Sequence, residues 1–151
     1  MRDIKFRGKA KDYDCWYFGT YIFTDDNKND PFRSAPFRES HRIVCYYSGD
    51  WNMGGWDDVE VIPETVGQYI GLKDKNGKEI YEGDIIRSFD SNGDTILHSI
   101  VWKEEEARFV AFYKGKTFSS NCSLKQDWLD EFEKEVVGNI HDNDLQEWHI
   151  E

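Results

Sequence analysis

Ile4 and Phe6 alternate with Lys5 and Arg7, and a period of two is that of a half-buried strand. Gly8 to Asp14 is polar and turn-like. Cys15 to Thr24, CWYFGTYIFT, is apolar at both parities, which predicts a strand covered on two sides. Asp25 to Ser40 is polar, holds two of the three prolines and has no period, so it reads as a long surface loop. His41 to Ser48 predicts another strand, rich in β-branched and aromatic residues. Gly49 to Asp58 carries three glycines and two tryptophans and predicts a loop, with Trp51 or Trp56 folded back onto the core. Val59 to Ile62 runs extended into Pro63, because proline biases its predecessor toward β geometry. Pro63 to Gly67 reads as a corner. It divides the chain into an N-terminal β-unit with long loops, residues 1–62, and a C-terminal domain, residues 63–151.

The C-terminal part is denser in strand signals. Gln68 to Lys73 and Glu79 to Tyr81 flank Asn76-Gly77; Asp84 to Phe89 and Thr95 to Trp102 flank Asn92-Gly93. Asn-Gly favours positive φ at both central positions of a tight hairpin, so each pair predicts a reversal. Arg108 to Tyr113 adds a strand with Phe109, Ala111 and Tyr113 on one face. Short strands at this spacing predict a small barrel or sandwich. One short helix is predicted near 124–134, with Ser123 as N-cap and Gln126 as its capping-box partner. Leu124, Trp128 and Phe132 recur every four residues along it, with Leu129 beside them. Val136 to Ile140 returns to strand, and the polar tail from Asp142 is expected to be partly ordered by Leu145 and Trp148.

Composition sharpens the β reading. Of 151 residues only 38% are hydrophobic, yet 16% are aromatic, so aromatic side chains carry much of the burial. The net charge is −11 and is uneven: residues 61–151 hold ten Lys/Arg against nineteen Asp/Glu, a balance of −9. An acidic surface repels phosphates, which argues against general binding of nucleic acid or of an anionic membrane. Arg2, Lys5, Arg7, Lys9 and Lys11 form a basic exception, read as the solvated face of an edge strand or as a docking patch for an acidic partner. Three widely spaced cysteines, Cys15, Cys45 and Cys122, point to reduced thiols. No stretch has signal-peptide character or approaches the ~20 apolar residues of a membrane span, so a cytoplasmic protein is expected.

Motifs for chemistry are sparse. There is no CxxC or HExxH; His41 and Cys45 lie on one strand face but too far apart to converge on an ion. Asp90, Asn92 and Gly93 echo an EF-hand loop, but Ser88 and Ser99 stand where its anchoring carboxylates belong. Phosphate-binding glycine loops and a nucleophile elbow are absent, so neither metal nor cofactor is expected. Asp74, Glu82 and Asp84 remain as carboxylates that adjacent strands could bring together for acid–base work. The structural alternative is that Asp74 builds its turn and Asp84 caps the corner after Gly83. The aromatic surplus fits a core, or a subunit interface, better than a base-stacking platform, which needs a basic groove.

Three blocks carry a resemblance. PETVGQYIGLKDKNGKEIYEGDIIR, the opening MRDIKFRGKAKDYDCWYFGTYI and the late VVGNIHDN together resemble the YopX family of phage and prophage proteins, in order and over nearly the whole chain. The resemblance implies a mainly β fold with a C-terminal SH3-like barrel beginning near the central block. The family pattern falls on Gln68, Gly71, Leu72, Asp74, Gly77, Ile80, Tyr81, Gly83, Asp84, Gly138 and Asn139, none with a catalytic role attached. Glu82 lies inside the same block. Gln68, Asp84 and Asn139 are expected to satisfy buried backbone groups at barrel corners.

The expectation is therefore an accessory protein whose biochemical role the family leaves uncharacterised, acting as a non-enzymatic binding or interaction module in the bacterial cytoplasm. It is expected to self-associate through its aromatic β surface, with a host or phage protein as the other candidate partner. Two alternatives stand beside it: an acidic inhibitor that imitates nucleic acid, and a weak hydrolase using Asp74, Glu82 or Asp84.

Overall fold

The computed structural model describes residues 3–25, 39–48, 54–114 and 119–142. Of the loop expected from Asp25 to Ser40, residues 26–38 lie outside them, while Asp25 ends one strand and Glu39 and Ser40 begin the next; the placement of Trp51 and the tail beyond Asp142 also lie outside. The fold is mainly β, as expected. By contacts the chain falls into two units, Ile4–Gln68 and one built on Tyr69–Glu151.

In the first unit β1 (Phe6–Lys9), β2 (Trp16–Asp25), β3 (Glu39–Tyr47) and β4 (Gly55–Glu60) form an antiparallel meander. The start of β5 (Gly67–Lys73) pairs with the other side of β1, placing Gln68 opposite Phe6. The corner at Pro63–Thr65 is one 3-10 turn. Thr65 closes it: its hydroxyl donates to the Ile62 carbonyl at 2.6 Å and accepts the Lys9 amide at 2.9 Å. Ala10, Ile43 and Val61 are buried, and Gly8 fits only as glycine, since a Cβ there would sit 2.9 Å from Val61.

Three expectations fail in this unit. β1 is no edge, because β2 and β5 flank it. Gly55 to Asp58 belongs to strand β4, and Trp56 points to solvent at 72% exposure instead of folding back. β2 is not covered on two sides: Phe18 and Ile22 are exposed on one face and Phe23 on the other. Aromatic and β-branched residues favour any pleated surface, so their density marks a strand without saying what covers it.

In the second unit β5 runs on to β6 (Glu79–Tyr81), followed by β7 (Asp84–Phe89), β8 (Thr95–Lys103), β9 (Arg108–Lys114), β10 (Ser119–Ser123), α1 (Gln126–Asp130) and β11 (Glu135–Asn139). The five-stranded sheet has the order β10-β9-β8-β7-β11, so the last strand returns to pair with the first of a four-strand meander. Ile80, Ile86, Ile100, Ala111 and Leu129 form its core, with Ile70, Leu72, Leu124, Trp128 and Val136 packed against them.

The helix is shorter than expected and its capping box does not form. Ser123 ends strand β10 and its hydroxyl accepts from Arg108, while the Gln126 amide donates to the Lys73 carbonyl at 3.1 Å and to Asp130. Strand pairing to β9 holds Ser123 in place of the helix, and no periodic signal in the sequence marks β10.

Both Asn-Gly pairs turn the chain, but not as two-residue loops with positive φ at both positions. Only the glycines take positive φ, +77° at Gly77 and +87° at Gly93. The Asp three residues before each glycine rewrites the turn. The Gly77 amide donates to the Asp74 carbonyl at 2.9 Å and the Asp74 amide to the Lys78 carbonyl at 2.9 Å. Asp74 Oδ1 accepts the Asn76 and Lys78 amides at 2.8 and 2.9 Å. Asp90 repeats the pattern with Asn92 and Asp94, at 2.8 and 2.9 Å. Each D-x-N-G is thus a three-residue loop with glycine in the left-handed position.

One bond separates the two copies of this turn. Asp74 Oδ2 accepts the amide of Val136, 62 residues away, at 3.0 Å, and Asp74 is buried while Asp90 is half-exposed. Asp74→Ala is expected to cost about 2–4 kcal/mol, since it strands three donors that are partly shut off from water, and Asp90→Ala about 0.5–1 kcal/mol. Urea unfolding of the two variants at neutral pH makes the comparison; equal losses would show that the bond to β11 contributes nothing.

Candidate functional site

Most of the predicted residues serve the backbone at separate turns and strand ends rather than a shared cleft. Asp84 is 1% exposed and its Oδ2 accepts the Tyr81 amide at 2.8 Å. Asn139 pairs opposite Asp84 across β11 and β7, and its Oδ1 accepts the amides of His141 and Asp142, each at 2.9 Å. Gly83, at φ +83°, donates to the Ile100 carbonyl at 2.8 Å and accepts the Ile140 amide at 2.9 Å. Tyr81 is buried, its hydroxyl donates to Glu79 at 2.9 Å and its ring lies 5.5 Å from Tyr69. Gly71, at φ +89°, sits in the register shift between Tyr69 and Lys73, and Gly77 closes its turn. Gln68 takes its place in the ladder opposite Phe6, and Glu82 is half-buried between Tyr81 and Gly83. The central block and the late block are thereby stitched together. Among the described residues no three His, Cys, Asp or Glu are grouped to hold a metal ion.

The basic N-terminal stretch is absorbed locally. Arg7 is buried with its guanidinium 4.8 Å from the Trp16 ring, Lys9 reaches Asp14 at 2.6 Å and Lys11 reaches Glu60 at 2.8 Å. Sequence spacing had no means of revealing those partners, because strand register brings them in.

A different surface stands out. Alternation along β2, β3 and β4 places Phe18, Ile22, Tyr46 and Trp56 on one face of the first unit's sheet. They are 50, 40, 60 and 72% exposed. Tyr46 pairs opposite Trp56, and their rings meet edge-on at 5.3 Å. Val44 lies opposite Asp58 on the same face, and Arg42 opposite Glu60. Arg42 Nε donates to Asp58 Oδ1 at 2.5 Å and its Nη2 to the Asp58 carbonyl at 3.0 Å. The opposite face carries Phe6, Tyr21, His41 and the buried Ile43. There the Tyr21 hydroxyl and His41 Nδ1 share a hydrogen bond of 2.6 Å.

A family model described as YopX protein matches residues 5–146. The chain belongs to the YopX family. The match reaches into both units and takes in the central and late sequence blocks and the opening block from residue 5. No curated protein matches the chain. YopX is not a known enzyme family. No helix among the described residues is long and apolar enough to cross a membrane.

This YopX chain also buries a cluster that no motif announces. His98 on β8 and Lys134 before β11 are both buried beside Trp128. The His98 ring stands edge-on to Trp128 at 5.3 Å, lies 5.8 Å from Tyr113, and has its Nδ1 3.5 Å from the Ser88 hydroxyl. The Lys134 ammonium donates to the Glu131 carbonyl at 2.6 Å and lies 4.5 Å from the Trp128 ring. Burial first, then the nearby Lys134 charge, lowers the His98 pKa to about 4. Burial likewise lowers Lys134, against the opposing pull of Glu131. Nearby, a hydrogen bond from Arg87 chiefly holds the Glu135 carboxyl below its ordinary value.

Between the ordinary histidine value of 6.5 and about 4, the unfolded chain binds a proton at His98 that the folded chain refuses. His98 therefore costs no stability above the upper value. It removes about 3 kcal/mol by the time pH reaches the lower one. His98→Phe is expected to flatten this part of the profile by about that amount, read as urea-unfolding free energy at neutral pH and near pH 4.5. Parallel profiles for the two proteins would remove His98 as the source.

Proposed function

We propose that this chain is a phage or prophage accessory protein that acts in the bacterial cytoplasm as a non-enzymatic protein-binding module. Its contact surface is the outward face of the first unit's sheet. One observation carries the reading: Phe18, Ile22, Tyr46 and Trp56 share a face and remain largely exposed. Large apolar side chains left exposed on one sheet face of a charged protein mark an interaction surface, and tyrosine and tryptophan are favoured there because each joins a large apolar body to a polar tip. The second unit serves as scaffold. Its strand order, a meander whose first strand accepts the last, supports an SH3-like reading.

The carboxylates support the same conclusion. Asp74 and Asp84 have oxygens turned to backbone amides at two different turns, and Asp84 is out of reach of a substrate. General acid–base work needs a carboxyl that touches the reacting group. The mimicry reading gains nothing from the arrangement. Glu106 faces Lys103 and Arg108, and Glu135 faces Arg87 and Lys75, so these two acids are paired with cations rather than presented as bare phosphate-like charges.

Immobilised chain and a Tyr46→Ser/Trp56→Ser variant, exposed to the same bacterial lysate, test the surface. The wild type is expected to retain protein that the double variant loses. Phe89→Ser removes an exposed aromatic of the second unit and is expected to retain it. Identical eluates from wild type and double variant, in a lysate to which soluble chain has also been added, would sink the proposal.

A further inference from the structure

We propose that the partner for this face is a second copy of the chain, packed face to face about a twofold axis. The inference rests on the binding-module reading and names its partner.

Charge decides the occupant. At −11 the chain repels copies of itself over most approaches. The aromatic face is an exception. Arg42 stands against Asp58 on it, and Lys11 against Glu60 at its rim. These cations and anions are paired beside the exposed Tyr46–Trp56 pair, with Ile22 opposite Arg42 on the same face. A twofold contact presents one patch to itself, so a patch bearing both signs is complementary to its own rotated image. Arg42 of one copy can meet Asp58 of the other without unbalanced charge. A strongly basic or acidic partner gains no such match.

Edge pairing is closed by the same logic. β4 lies at the end of the strand order and would be the natural site for adding a strand. Antiparallel self-pairing about its centre would set Asp57 of one copy against Asp58 of the other. Like charges directly opposite destabilise a pair and guard an edge. The route left to a second copy is the flat of the sheet.

The size of the patch sets the strength. Four large, partly exposed side chains bury on the order of 400 Å² per copy, and the rim brings the total toward the low end of specific interfaces. A weak dimer follows, with a dissociation constant on the order of tens of micromolar.

Sedimentation velocity on the purified full chain, from about 5 to about 500 µM, spans that constant. The wild type is expected to pass from monomer to dimer. Trp56→Ser and Tyr46→Glu are each expected to weaken association at least about tenfold, the second by placing a charge of the prevailing sign opposite Trp56. Circular dichroism checks that both remain folded, and Phe89→Ser is expected to dimerise as the wild type does. A wild type monomeric throughout overturns the proposal. So does a dimer that both face variants leave intact, since its contact then lies elsewhere. If the purified chain is monomeric while the immobilised chain still loses captured protein on Tyr46→Ser/Trp56→Ser, the second copy is excluded and the binding-module reading survives. If both tests are blank, both fall.

Discussion

The second unit is held together by carboxylates and an amide that bond to main chain. Asp74 gives up its water and takes three backbone amides in exchange, two from its own turn and one from β11. A buried carboxylate is tolerated only when donors replace the lost hydration, and bonds to a charged acceptor are stronger than those between neutral groups. The consequence is long-range. A turn at residue 74 fixes a strand at residue 136, and Asp84, Asn139 and Gly83 repeat the stitch one turn further on. Leu129 and Val136 then meet Ile80 and Ile86 in a core whose outline those bonds set.

This economy constrains chemistry. A side chain that shapes the main chain cannot also leave it to shuttle protons. The acids that look most functional in the sequence are the ones the fold cannot spare. His98, a buried titratable group with a displaced pKa, sits among aromatic rings and beside Lys134, whose own pKa burial also lowers. Its lowered pKa reflects packing. Perturbed groups do cluster at catalytic sites, but burial in a core produces the same displacement.

What could be read from the residues follows the same division. The D-x-N-G turns and the strands around them are local, since side-chain period and turn chemistry act over a few residues, and they are legible. The loop type differs from what Asn-Gly alone suggests, positive φ at both positions, because the preceding aspartate bonds forward to two amides. The reversal between β8 and β9 carries no glycine at all; Ala107 takes φ +49° there, a conformation unfavourable to alanine and invisible to a turn rule. β10 and the short helix are settled by pairing with β9 and by burial of Leu129, neither of which is local. Likewise Asp74 could be read as a turn former, but its bond to Val136 could not, because no spacing connects residues 62 apart.

Exposure of Trp56 follows from register. Once Tyr46 pairs opposite Trp56, the side-chain period places both on the face away from Ile43, and no local preference can turn one of them inward without flipping the whole strand. Hydrophobic patterning therefore yields two apolar faces for this sheet, of which one closes over Ile43. The other keeps its aromatic surface in water. Charge limits what that surface can meet: on a chain this acidic, a patch whose Arg42 is already paired with Asp58 repels a second copy less than an unpaired acidic surface would.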